Sequence, residues 1–165
     1  MFDLILKGGE VFDGSGNESI IGDVAIKDGI VSAVEPAGVL KPSNAESAIN
    51  VDGLVVSPGF IDMHTHSDFT LIADGRAESQ VHQGVTTEVI GQCGHSCAPV
   101  NSPDVIPRIA PWYTAKAKHD TWLGFGDYLD VLDKIGLGVN VMAFVGHGTI
   151  HRAIMGGELQ PGEQD

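Results

Sequence analysis

The sequence predicts an α/β protein in two parts, a small β module over residues 1–57 and a β-α-β-α-β run over residues 58–165. Three observations carry this. Short apolar runs with turn punctuation fill the first third. Three strongly apolar segments then alternate with helical patterns, the order expected of a parallel sheet or barrel. The 22 Gly and 8 Pro among 165 residues imply many tight turns and close backbone approaches.

In the first part, Leu4-Ile5-Leu6 and Val11-Phe12 flank the Gly8-Gly9 pair, and Asp13-Gly14-Ser15-Gly16 marks a turn. Asp23 to Ile26 and Ile30 to Val34 flank Lys27-Asp28-Gly29, a hairpin signal because Gly29 tolerates positive φ. Ile49-Asn50-Val51 and Leu54-Val55-Val56 complete what reads as an antiparallel β module. After Ser57-Pro58-Gly59 the pattern changes. Phe60 to His64 reads as a buried strand, Ala77 to Gln83 as a helix with Gly84 just beyond it, and Val85 to Ile90 as a second strand. A segment containing Pro103, Pro107, Pro111 and Trp112 follows. A clearer helix comes next, with Asp127 suited to its N-cap, Tyr128, Val131, Leu132 and Ile135 at helical spacing, and Gly136 at its end. Val139 to Val145 is the third apolar strand.

At 42% hydrophobic and 19% charged residues the chain can build a core and does not resemble a disordered one. With 9 Lys+Arg against 22 Asp+Glu, its net charge of −13 argues against nucleic acid and anionic membrane, whose phosphates need clustered bases. No apolar run approaches the ~18 residues of a membrane span, and the N-terminus lacks the charged start and apolar centre of a signal peptide. The two cysteines are too few to staple a chain of this length, so a reduced cytoplasmic setting is expected.

His64-Thr65-His66 closes the first apolar strand of the second part. Strand residues i and i+2 point to the same side, so the two imidazoles can grip one metal ion, with Asp62 and Asp68 as supporting partners. The plain alternative is a pair of surface or packed histidines. Reactive groups in parallel barrels cluster at the C-terminal strand ends, which favours the metal reading. Gly91-Gln92-Cys93-Gly94-His95-Ser96-Cys97 follows the next strand and puts Cys93 at the same end of the sheet. A thiolate suits Zn²⁺, and flanking glycines let the backbone approach closely. Two other readings stay open: Cys93 as a small buried apolar residue, and a zinc knuckle made by Cys93, His95 and Cys97. Gly146-His147-Gly148-Thr149 follows the third strand, so His147 could face a metal or a substrate carbonyl, and Arg152 one turn later a carboxylate. An ordinary helix start with solvated side chains is the alternative there. His82 and His119 read as structural.

Taken together these residues resemble the amidohydrolase superfamily. Val55-Val56-Ser57-Pro58-Gly59-Phe60-Ile61-Asp62-Met63-His64-Thr65-His66 is similar to its first-strand signature, in which the two histidines bind metal. Gly84-Val85-Thr86-Thr87, leading to the Gly91–Val100 segment, is similar to the N-acyl-D-amino-acid deacylases (D-aminoacylases), where a cysteine at this place ligates zinc. Phe144 to Ile150 is similar to that family too. The family's pattern leads one to expect an apolar or aromatic residue where this chain has His95.

The resemblance implies the N-terminal share of a β-sandwich over residues 1–57. It implies the first three βα units of an incomplete (β/α)8 TIM-like barrel over residues 58–165, since a full barrel needs at least ~200 residues. It implies a hydrolase that holds one or two Zn²⁺ ions and cleaves the amide bond of a small-molecule substrate, an N-acyl-D-amino acid. His64, His66 and Cys93 would be its metal ligands, and His147 would line the substrate pocket. The general acid/base Asp and further metal-binding histidines are expected beyond Asp165, so the isolated chain is expected to be inactive. Two other readings stand beside this one. A cyclic-amide hydrolase of dihydroorotase or hydantoinase type is disfavoured by Cys93. A non-catalytic fragment or subunit completed by another chain would leave an open sheet edge that invites self-association.

Overall fold

A computed structural model describes residues 1–110 and 121–156. Pro111, Trp112 and His119 therefore lie outside the described residues. The chain divides into two units, Met1–Pro58 and Gly59–Asp165.

The first unit is one mixed sheet of five strands: β1 (Phe2–Val11), β2 (Ile20–Lys27), β3 (Ile30–Pro36), β4 (Ala45–Asn50) and β5 (Val55–Val56). β2 pairs β1 and β3 antiparallel, as the hairpin signal at Asp28-Gly29 predicts. β4 and β5 both pair β1 parallel. The expected antiparallel module is thus mixed, because the connection through residues 37–44 carries the chain back to the far edge of β1. The Gly8-Gly9 pair is not a turn between two strands either. β1 runs straight through it, and the pairing with β2 shifts between Leu6 and Gly9. Gly8, at φ +74°, supplies the left-handed residue that such a bulge needs.

That bulge is fastened by one buried carboxylate. Asp23 accepts hydrogen bonds from Lys7 Nζ at 2.6 Å, Gly8 N at 3.0 Å and Gly38 N at 2.9 Å. Burial pushes its carboxyl up, but the Lys7 ammonium and the two amides outweigh burial and hold it below the usual carboxylate range. A depressed folded-state pKa contributes stability above the unfolded value of about 3.9 and loses it as pH falls through the folded value. We therefore expect Asp23→Asn to be less stable at neutral pH, with a gap that narrows below about pH 4. Urea unfolding of both proteins from pH 7 to 3 measures it, and a gap that stays constant would refute the assignment.

The second unit holds a parallel sheet in the order β6-β7-β8, built from β6 (Phe60–Asp62), β7 (Val85–Ile90) and β8 (Asn140–Ala143). Short helices fill the connections: α1 (Asp68–Leu71), α2 (Glu78–Val81), α3 (Ile106–Ile109), α4 (Phe125–Ile135) and α5 (His147–Met155), the last following β8. The core gathers Leu71, Ile72, Ile90, Cys97, Trp122, Tyr128, Val131, Leu132 and Val139. Tyr128, Val131 and Leu132 are the buried stripe of α4, as their spacing predicts. α4 starts one turn earlier than Asp127 suggests. Asp127 sits inside the first turn and its Oδ2 accepts from the backbone N–H of Gly124 at 2.8 Å, so it caps from the third helical position.

Three other expectations shift. The 77–83 helix shrinks to a single turn, opened by Ala77 in the left-handed region at φ +49° and followed by Gly84 at φ +82°. Strand β6 stops at Asp62 and is not buried: Phe60 and Ile61 are 62% and 58% exposed. It is an edge strand with β7 as its sheet partner, and its apolar side chains lie uncovered among the described residues. The third apolar run forms strand only from Asn140 to Ala143, leaving Val139 in the core and Phe144 and Val145 exposed. Among the described residues no helix is long and apolar enough to cross a membrane.

Candidate metal centre

Because β6, β7 and β8 run parallel, the segments that follow them leave the sheet at one end. His64 and His66 lie just beyond the end of β6, and their rings meet edge to face with centroids 5.7 Å apart. This short stretch is held to β7 by Thr65 N, which donates to Val89 O at 3.3 Å, and to the segment after β7 by Gln92 Nε2, which donates to Met63 O at 3.1 Å. Asp62 Oδ1 accepts from the backbone N–H of His64 at 3.1 Å and so shapes the turn.

Cys93, from the segment after β7, reaches the same place. Its Sγ lies 3.2 Å from His64 Nε2, and the donor atoms of His64, His66 and Cys93 all fall within 4.8 Å of one another. Bond lengths of about 2.0 Å to nitrogen and 2.3 Å to sulfur place neighbouring ligands of one ion roughly 3–4 Å apart. A two-imidazole, one-thiolate set of this size fits a tetrahedral ion of borderline softness such as zinc. All three side chains are exposed, which leaves a further coordination position open to solvent.

The backbone of Cys93 is left-handed at φ +53°, uncommon for a residue other than glycine. The glycines beside it reflect how tightly the segments after β7 and β8 are pressed together. A Cβ at Gly91 would come within 1.9 Å of Phe144 O, and one at Gly146 within 2.5 Å of Gly94 O. No side chain fits either place.

The zinc-knuckle alternative is not assembled. Cys97 is buried, its Sγ donates to Asp68 O at 3.3 Å, and burial pushes its thiol well above the ordinary range. His95 turns away to meet Arg152, Nδ1 to Nη2 at 3.0 Å. Arg152 thus has protein partners in His95 and Thr149. His147 is the first residue of α5, at the same end of the sheet but outside the three-residue cluster, and it is exposed.

Two acids of the same unit are buried. Asp68 is fully buried, and neither carboxylate oxygen has a hydrogen-bond partner among the described residues. Burial pushes its carboxyl to about 6, against the opposing pull of nearby backbone amides and the His66 ring. Glu88, in the middle of β7, is also fully buried; Ser67 Oγ donates to its Oε2, while Oε1 is unpartnered among the described residues. Sequence reasoning passed over Glu88. Its signal was a carboxylate inside the β-branched run Val85-Thr86-Thr87-Glu88-Val89-Ile90, where an apolar residue belongs.

Comparison with known proteins shows which family the chain is similar to. Residues 47–164 match the family model described as Amidohydrolase family. The chain is 36% identical over 157 residues to the D-aminoacylase of Alcaligenes xylosoxydans xylosoxydans, covering 93% of this chain and 31% of that protein. A crystal structure of D-aminoacylase superposes with a TM-score of 0.79 at 36% identity, covering 94% of this chain and 32% of that one. The N-acyl-D-glutamate deacylase of Bordetella bronchiseptica, solved with zinc and a phosphonate inhibitor, gives 0.75 at 29% identity, covering 92% and 31%. The chain spans about a quarter to a third, 26% to 31%, of the length of the curated relatives that match nearly all of it.

Proposed function

The chain belongs to the amidohydrolase family, and from that premise we propose that it carries the first metal ligands of a zinc-dependent deacylase acting on N-acyl-D-amino acids. The observation that carries the reading is the convergence of His64 and His66 with Cys93, residues from two separate segments. The deacylase relatives, and the zinc in one of them, point to the same chemistry.

In this reading His64, His66 and Cys93 hold the ion, with Cys93 as thiolate. A zinc ion held there would supply Lewis-acid activation of a water and of the substrate's amide carbonyl. His147 stands at the start of α5 to contact that carbonyl. Asp68, whose carboxylate acts electrostatically on His66, favours a bound cation there. The first unit is then the N-terminal share of a β-sandwich, and β6, β7 and β8 are the first three strands of a barrel. A closed barrel takes about 200 residues or more. The activity is accordingly assigned to a protein in which these strands are completed, and the exposed Phe60, Ile61 and Met142 mark surface that completion or self-association would cover. The two free thiols fit a cytoplasmic setting.

Metal content decides the first step. Purified protein loaded with zinc and passed through a desalting column is expected to retain about one equivalent, and Cys93→Ala to retain far less. Retention unchanged by Cys93→Ala would sink the ligand assignment. The deacylase reading is tested on protein extended to include the missing strands. It should hydrolyse N-acetyl-D-amino acids in preference to the L forms, and should lose that activity to a chelator.

A further inference from the structure

We propose that Ser96 and Thr149 are positioning residues for Cys93: their two buried hydroxyls clasp the segment after β7 to the start of α5 and keep the thiol turned toward His64 and His66. The inference rests on Cys93 being a metal ligand, as proposed above.

Thr149 Oγ1 is the centre of the clasp. It accepts from Ser96 N at 2.9 Å and donates to Ser96 O at 3.2 Å, so both backbone polar groups of Ser96 end on one hydroxyl. Ser96 Oγ donates to Ala98 O at 2.5 Å and accepts from Gly146 N at 3.0 Å. A further bond runs from Thr149 N to Gly94 O at 3.3 Å. Ser96 and Thr149 are each 5% exposed, so water does not replace these partners.

The Thr149 hydroxyl serves the loop first: besides its two bonds to Ser96 it accepts one longer bond from Arg152 Nη2 of its own helix, at 3.4 Å. Thr149 N is already bonded to Gly146 O at 3.0 Å, so the start of α5 is closed without the side chain. A valine would fill the same space and leave Ser96 N without an acceptor. Three residues before Ser96, Cys93 holds a left-handed backbone that survives only where its surroundings enforce it. Release of the clasp lets that backbone relax and carries the sulfur away from the two imidazoles.

Cobalt(II) binding to the purified chain tests this, read by titration and by the absorption of a thiolate-cobalt bond. Hydrogen exchange at residues 93–97 of the metal-free protein is the second readout. Thr149→Val is expected to weaken cobalt binding about tenfold, the scale of lost support behind a ligand, and to speed exchange in that segment. Thr149→Ser should restore both. In a Cys93→Ala background Thr149→Val should make no further difference to cobalt affinity. Should Thr149→Val fail to fold, Ser96→Ala opens the outer half of the clasp and is read the same way. Faster exchange with unchanged cobalt affinity overturns the proposal, as does an equal loss of affinity with and without Cys93. The ligand reading fails by a different sign: Cys93→Ala itself would leave the cobalt affinity of the parent unchanged.

Discussion

Replacing both His64 and His66 with alanine is expected to abolish zinc retention while leaving the fold in place. Structural zinc sites with four ligands bind with about 10–16 kcal/mol, or roughly 3–4 kcal/mol per ligand. Loss of two ligands should therefore weaken binding on the order of 10⁴-fold or more. The side chains are exposed and their removal opens no cavity in the core. Equilibrium dialysis with zinc, beside urea unfolding of the metal-free proteins, separates the two effects. His147→Ala is the control: it lies outside the cluster and should leave zinc affinity within a fewfold of the parent. A double alanine variant that still holds zinc in the parent's stoichiometry would remove the metal centre from these residues.

Trp122→Ala should produce a large loss of stability, about 3–5 kcal/mol. Trp122 is 2% exposed and stacks at a tilt on Tyr128, with ring centroids 5.5 Å apart. Its Nε1 donates to Cys97 O at 2.8 Å, and Tyr128 OH donates to Asp68 O at 3.0 Å. Truncation thus leaves a cavity and two buried groups in poorer company, the Cys97 carbonyl outright and the Asp68 carbonyl through a loosened Tyr128. Trp122→Phe keeps most of the volume and loses the donor, and should cost about 1–3 kcal/mol. Urea midpoints of the three proteins check the order, and a Trp122→Phe variant as unstable as Trp122→Ala would show that the hydrogen bond, not the volume, carries the effect.

Much of this was legible in the sequence because it rests on local chemistry. The helical stripe of α4 is set by apolar spacing, the hairpin at Asp28-Gly29 by backbone tolerance, and the grouping of His64, His66 and Cys93 by parallel strands whose ends face one way. What was missed depends on partners distant along the chain. Whether Gly8-Gly9 bends the chain or bulges a strand is decided by β2, which pairs on both sides of it. Whether Phe60 and Ile61 are covered depends on what packs over an edge strand. The roles of Ser96 and Thr149 come from a contact spanning 53 positions, and no spacing rule reaches that far. The detour of His95 to Arg152 is of the same kind, 57 positions apart.

The close seating of the segments after β7 and β8 also bears on how such a protein can change. Gly91, Cys93, Gly94, Ser96, Gly146 and Thr149 each answer to a neighbour in the other segment or to the cluster, so a single exchange at any of them meets a fixed counterpart. New specificity is easier to acquire in loops free of that mutual constraint. A mutagenesis library that spares these six positions should yield a larger folded fraction than one that samples them, and variation among natural sequences should fall around this pair of segments and not within it.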